Sequence, residues 1–313
     1  GLGKAMGLPY LLWGPRDEAP LADGMRDRDT QCGLFATSKV LRRLGVPFTY
    51  VVTSRVDAPV FERGVRGFVA AAAVVREFRR LRIGQVSPRP QAFWTVMANE
   101  GELLERFGIE VVTTTLVDVA TAVKRKLAEG KAVRAEAASL KAKADCSRLK
   151  DDEVARVAAL KLALLDWVEA EGLSSVALQC WTALQETLDM APCFVHGELT
   201  ELGVPVACET DIHGAVTSVM LQAAAQGTTP TFFADLTIRH PEHENRELLW
   251  HCGPFPLALK AEVEPATVGP HYMMPRPMPA VGEWRLRGGD VTLGRFDGDR
   301  GEYRLLLGHA RGA

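Results

Sequence analysis

The chain has 313 residues, 47% hydrophobic and 24% charged, with a formal net charge of −2 at pH 7. This is the composition of a globular protein large enough for more than one core, and it lacks the basic excess that draws a chain to nucleic acid or an acidic membrane. No apolar run reaches the roughly 18 residues of a membrane span, and six scattered cysteines without CxxC spacing suit reduced thiols in a cytoplasmic setting.

In chain order, "GLPYLLWG" (7–14) reads as a buried strand, "TQCGLFATSKVLRRLG" (30–45) as a helix stopped by Gly45, and "PFTYVVT" (47–53) as a second strand. A helix over 59–81 carries Arg76, Arg79 and Arg80 in its last turn, where cations suit the negative end of the helix dipole. The pattern restarts with a strand at 82–88, a helix at 99–108 and a strand at 109–116. A Lys/Ala-rich helical stretch (118–149) presents a solvated face, and helix 151–171 aligns Val157, Leu160, Leu164 and Trp167 on one side. Strand 174–181 follows. His196 and Glu198 then open a helix, in surface or capping roles, before the apolar run Val204–Cys208.

Past residue 225 the helices stop. "TPTFFADL" (229–236), "ELLWHCG" (247–253), 283–296 and 301–308 read as strands, "RHPEHE" (239–244) as an exposed loop, and "DGDRG" (297–301) as a tight hairpin. The expected fold is α/β: tandem three-layer α/β/α, Rossmann-like units followed by a β-rich, barrel-like C-terminal domain. The boundaries are 1–81 for the end of an N-terminal domain, 82–225 for a middle domain and 226–313 for the last. The chain opens without Met and stops just after a strand-like run, so it reads as an excerpt of a longer protein.

Three strand ends carry polar residues where apolar ones are expected: Glu209 after "VPVAC", Asp235 after "TFFA", and His251 in "LLWHCG". Ligand sites of open α/β sheets lie beyond the carboxyl ends of strands, so these residues can converge. Two carboxylates and an imidazole suit Mn²⁺, Co²⁺ or Mg²⁺, and a cation would offset the cost of desolvating the acids. A helix cap or ion pair for each acid, and a core role for the histidine, stand as alternatives. His213, four residues after Glu209, is a weaker ligand candidate. No GxSxG, HExxH or Walker loop occurs.

The segment "APCFVHGELTELGVPVACETDIHGAVTSVMLQ", with "TFFADL" and "LLWHCG", resembles the middle and C-terminal regions of the L-fucose isomerase and L-arabinose isomerase superfamily. "FERGVRGFVAAAAVVREFRRLRIGQV" resembles that family's passage from first to second domain. The resemblance implies an aldose–ketose isomerase acting on a monosaccharide through a cis-enediol, with a divalent cation, commonly Mn²⁺. It implies that Glu209 and Asp235 bind the metal and shuttle the proton, and that His251 matches a ligand of the arabinose isomerase branch. Both branches draw a further histidine from near the C-terminus, which His309 does not match. The resemblance also implies a homo-oligomer, with a hexamer as the expected form. Arg89, Trp94, Gln179 and Trp181, leaving two strand ends, are candidates to face the sugar; relatives often carry Lys where Gln179 stands. The rival readings are a non-catalytic sugar-binding protein, with Trp94 and Trp181 as stacking platforms, and a metallohydrolase.

Overall fold

The first strand–helix–strand pattern folds as read, with shorter strands. In the computed structural model, which describes residues 2–273 and 277–313, the chain divides into two units, 1–75 and 76–313. The first holds α1 (Leu2–Met6), β1 (Leu11–Leu12), α2 (Thr30–Arg43), β2 (Thr49–Tyr50) and most of α3 (Pro59–Phe78). β1 and β2 pair in parallel across the α2 crossover, and the Asp17 carboxylate accepts from the first two amides of α2 at 2.7 and 3.0 Å, which suits the positive helix end. Gly64 is required where α3 crosses the exit of β2, since a Cβ there would lie 2.5 Å from Val51.

The second unit begins with β3 (Arg82–Val86), α4 (Glu100–Phe107), β4 (Glu110–Thr114), α5 (Leu116–Glu129) and α6 (Lys131–Lys143). It continues through α7 (Asp151–Glu171), β5 (Ser175–Leu178), α8 (Gln185–Leu188), α9 (Cys193–Glu201), β6 (Val206–Cys208) and α10 (Ile212–Ala224). The helical stretch 118–149 is two helices, broken at Gly130 with φ 67°. The strands form one parallel sheet in the order β4-β3-β5-β6. Alternation along each strand feeds two cores. Val86, Val176, Leu178, Val206 and Cys208 face Val123, Leu140, Leu160 and Leu199 on one side, while Ile83, Ala177 and Ala207 face Leu103, Ile212 and Val216 on the other.

His196 and Glu198 are not surface residues. α9 lies inside the first of these cores and buries both. Glu198 is compensated by Lys161 at 2.8 Å and Lys143 at 2.7 Å, with Glu136 also on Lys161 at 2.6 Å. The sequence reading missed this because the cations come from α6 and α7, far away along the chain.

The remaining strands form three separate antiparallel pairs: β7 (Asp235–Arg239) with β8 (Glu247–Trp250), β9 (Thr267–His271) with β10 (Met278–Glu283), and β11 (Gly289–Asp299) with β12 (Glu302–Gly312). Among the described residues they do not close into a barrel. "RHPEHE" is the exposed β7–β8 loop, and the β11–β12 turn places Arg300 and Gly301 at φ 52° and 77°, as a two-residue turn between twisted strands demands. "TPTFF" is not a strand; β7 begins at Asp235, which opens its strand instead of ending one. Phe296 and Tyr303 of the last hairpin pack with Phe78 and Phe107, centroids 4.9–5.8 Å apart.

Two glycines separate packing from propensity. On α3, a Cβ added at Gly67 would meet nothing within 4 Å, whereas on α9 a Cβ at Gly197 would lie 2.4 Å from the Phe255 carbonyl. Gly67→Ala is expected to stabilise by about 0.5–1 kcal/mol and Gly197→Ala to destabilise by about 1–3 kcal/mol. Urea denaturation of the two variants checks both signs.

Candidate active site

Strand order reverses between β3 and β5, because the chain leaves β3 toward β4 on one side and returns to β5 on the other. Such a reversal opens a crevice beyond the strand ends. A cavity of about 280 Å³ lies there, walled by Pro90–Phe93 after β3 and by Gln179 and Trp181–Ala183 after β5. Gln179 and Trp181 therefore sit in the cavity wall. Arg89 adjoins it: its Nη1 donates to the Pro90 and Gln91 carbonyls at 3.1 and 2.9 Å, and no carboxylate pairs with it among the described residues. Trp94 stands apart, 73% exposed and outside that wall.

β6 ends in the same region. Glu209 and Thr210 both take left-handed backbone, φ 56° and 61°, at a cost of order 1–3 kcal/mol each for residues other than glycine. Asp211 then caps α10, accepting from Gly214 N at 2.8 Å, and its other oxygen pairs with Arg295 on β11. Asp211 is thus fully compensated. Glu209 is not. Its carboxylate, 16% exposed, has no Lys or Arg partner among the described residues; Cys180 Sγ lies at 3.8 Å and His251 Nε2 at 3.9 Å.

His251 follows β8 and is 5% exposed, with Nε2 lacking any hydrogen-bond partner. Burial opposes its protonation, yet contacts with Cys252 and Glu209 hold its pKa up at about 11. The Cys252 thiol is drawn down to about 2, first by the Cys193 hydrogen bond and then, against burial, by His251 and His271. Glu209 and His251 lie within the widest span that two bonds to one ion allow. Two bonds of about 2.1 Å to one ion allow donor atoms up to about 4.2 Å apart, and these stand 3.9 Å apart.

Asp235 is exposed at the start of β7 and registers against Trp250, the residue before His251. Its carboxylate belongs to neither three-residue cluster of metal-ligating side chains found among the described residues. His213 is turned elsewhere: its Nδ1 lies 3.0 Å from Asp297, and burial lowers its pKa despite that carboxylate.

A fucose/sulfoquinovose isomerase N-terminal domain model matches residues 2–79. The sulfoquinovose isomerase of Alkalicoccus urumqiensis is 30% identical over 302 residues, covering 96% of this chain and 66% of that protein. That of Priestia megaterium is 30% identical over 308 residues, covering 96% and 65%, and that of a Clostridium species 29% over 276 residues, covering 84% and 58%. The chain belongs to the fucose isomerase-like superfamily. It spans just under two thirds of the length of the first of these relatives.

In this superfamily member the sequence reading found Glu209 and His251 but passed over the thiols that surround them. Cys180 and Cys208 cluster with Glu209, and Cys193 and Cys252 with His271. The one local signal was adjacency, since Cys208 precedes Glu209 and Cys252 follows His251; the other partners meet only in the fold. No described helix is long and apolar enough to cross a membrane.

The two acids of the β6 turn are expected to respond differently in metal-free protein. Asp211→Asn strips Arg295 of its buried partner and is expected to destabilise by about 1–3 kcal/mol. Glu209→Gln removes a carboxylate whose closest cation among the described residues is the His251 imidazolium, 3.9 Å away and beyond hydrogen-bond reach, and is expected to cost less than Asp211→Asn. Urea unfolding in EDTA distinguishes them.

His196 gives a pH prediction. It is fully buried on α9, its Nδ1 3.3 Å from Cys208 Sγ, and burial depresses its pKa to about 3. The unfolded chain takes up this proton near pH 6.5, so below that pH the histidine favours unfolding progressively until about 3. The loss approaches about 1.4 kcal/mol per pH unit. Unfolding free energies of wild type and His196→Gln between pH 7 and 4 are expected to show a shallower acid slope in the variant.

Proposed function

We propose that this chain carries the metal- and sugar-binding core of an aldose–ketose isomerase whose substrate is sulfoquinovose or a closely related monosaccharide. The observation that carries the reading is Glu209: a carboxylate held on strained backbone beside a strand-order reversal, without a Lys or Arg partner among the described residues, its oxygen 3.9 Å from Nε2 of buried His251. Relatives named for that activity match across 96% of the chain.

Glu209 and His251 would hold a divalent cation, Mn²⁺ foremost and Co²⁺ or Mg²⁺ as alternatives, with Asp235 the third ligand from the neighbouring β7. Bound there, the cation supplies Lewis acidity to polarise the sugar carbonyl and stabilise charge developing on oxygen. The protein's own work is proton transfer and orientation. A carboxylate of the Glu209–Asp235 pair takes the proton from C2 of the open-chain aldose and returns it to C1, through a cis-enediol. Gln179 and Trp181 orient hydroxyls and a carbon edge from the cavity wall, and the guanidinium of Arg89 meets the sulfonate. A cytoplasmic homo-oligomer of hexameric form and a three-domain arrangement complete the proposal.

The test uses the full chain with Mn²⁺ and sulfoquinovose, following the ketose by NMR. Ketose formation is expected, EDTA abolishes it, and Glu209→Gln lowers kcat by about 100-fold or more. Arg89→Gln is expected to raise KM for the sulfonated sugar by about tenfold without a matching change for an unsulfonated aldose. Folded, Mn²⁺-loaded protein that converts no sugar in a panel of aldoses, sulfonated or not, sinks the reading.

A further inference from the structure

Three segments distant in sequence meet behind His251. Cys193 opens α9, Cys252 follows β8, and His271 closes β9; their two Sγ atoms and a ring nitrogen all lie within 4.8 Å of one another. The thiols stand 3.6 Å apart. That is far from the roughly 2.05 Å of a disulfide, but close to the roughly 3.8 Å between two thiolates bound to one tetrahedral Zn²⁺ at about 2.3 Å. Two touching thiols alone would be a packing contact. What sets this cluster apart is its imidazoles: His271 is 1% exposed with Nε2 unpartnered, and His251 Nδ1 lies 3.3 Å from Cys252 Sγ.

We propose that Cys193, Cys252 and His271 form a site for a thiophilic divalent cation of the Zn²⁺ class, separate from the site at Glu209. The donor set decides the class. Sulfur and imidazole without a carboxylate favour Zn²⁺ over Mn²⁺ or Mg²⁺, whereas the second thiol pair, Cys180 and Cys208, clusters with the Glu209 carboxylate and belongs to the site already described. On binding, Cys193 releases its thiol proton to solvent, while Cys252, held ionised by its neighbours, brings none. Ligation through His271 Nε2 puts the ring proton on Nδ1 and displaces the 3.2 Å bond from Met273 N, and the Cys193–Cys252 contact gives way to two sulfur–metal bonds. The fourth position is left to water. The ion would tie α9 to the exits of β8 and β9.

The experiment titrates the reduced, metal-stripped full chain with Co²⁺ as a spectroscopic stand-in for Zn²⁺. Expected are one thiolate-to-cobalt charge-transfer band saturating at one ion per chain, tetrahedral visible bands, displacement by Zn²⁺, and a melting temperature raised by Zn²⁺. The band is expected to persist in Cys180→Ser and Glu209→Gln and to vanish in Cys193→Ser. Should Cys193→Ser not fold, His271→Gln is read instead, with at least tenfold weaker Co²⁺ binding expected. Folded wild type without a thiolate band, a band that survives Cys193→Ser, His271→Gln binding Co²⁺ as wild type does, or a band lost with Cys180→Ser overturns the proposal. None of these readouts depends on turnover of a sugar, so this site and the isomerase reading fail separately.

Discussion

Two acids leave the same buried strand within three residues, and their unequal compensation organises this region. Desolvating a carboxylate costs several kcal/mol unless hydrogen bonds or a cation offset it. Asp211 receives both, from the first turn of α10 and from Arg295. Among the described residues Glu209 receives only the long contacts of the Cys180 thiol and the His251 imidazolium, nearly 4 Å away, toward which it turns on consecutive left-handed residues. Its place beside the mouth of a strand-order reversal gives that imbalance a use under the proposed function, in which a cation would meet donors already desolvated and held.

The scaffold explains why such an arrangement can be held. β5 and β6 are anchored on both faces, Val176, Leu178, Val206 and Cys208 against one core and Ala177 and Ala207 against the other. The backbone runs on past the strands, Gln179 N donating to Val86 O and Thr210 N to Leu178 O. The loops that line the cavity therefore start from fixed points. β11 fastens the far side through Arg295 and through Phe296, which packs into the core beneath α10.

The thiols add a second layer of chemistry to the same region. Cys252 couples to His251 on one side and to Cys193 on the other, so the imidazole facing Glu209 is also part of a buried sulfur cluster. Its electrostatics are set by neighbours contributed by α9, β8 and β9 together.

Much of this was readable beforehand. Helix 151–171 was bounded correctly because its apolar period is long and an Asp/Glu-rich first turn opens it; the last hairpin was recognised because "DGDRG" permits two positive-φ residues, although its strands run 289–299 and 302–312 and not 283–296 and 301–308. Glu209 was singled out because charge at the end of an apolar run is visible in one dimension. The errors share a cause. "TPTFF" has strand composition but no partner strand, so β7 starts at Asp235; His196 and Glu198 look like surface residues until α6 and α7 bring Lys143 and Lys161 to them; the cysteines look scattered until the sheet folds. Periodicity, turn chemistry and the polarity of strand ends are local, so the sequence by itself determined the elements and marked Glu209 and His251. Which charges are neutralised and which thiols meet depends on contacts between residues dozens of positions apart, and only the tertiary structure could decide that.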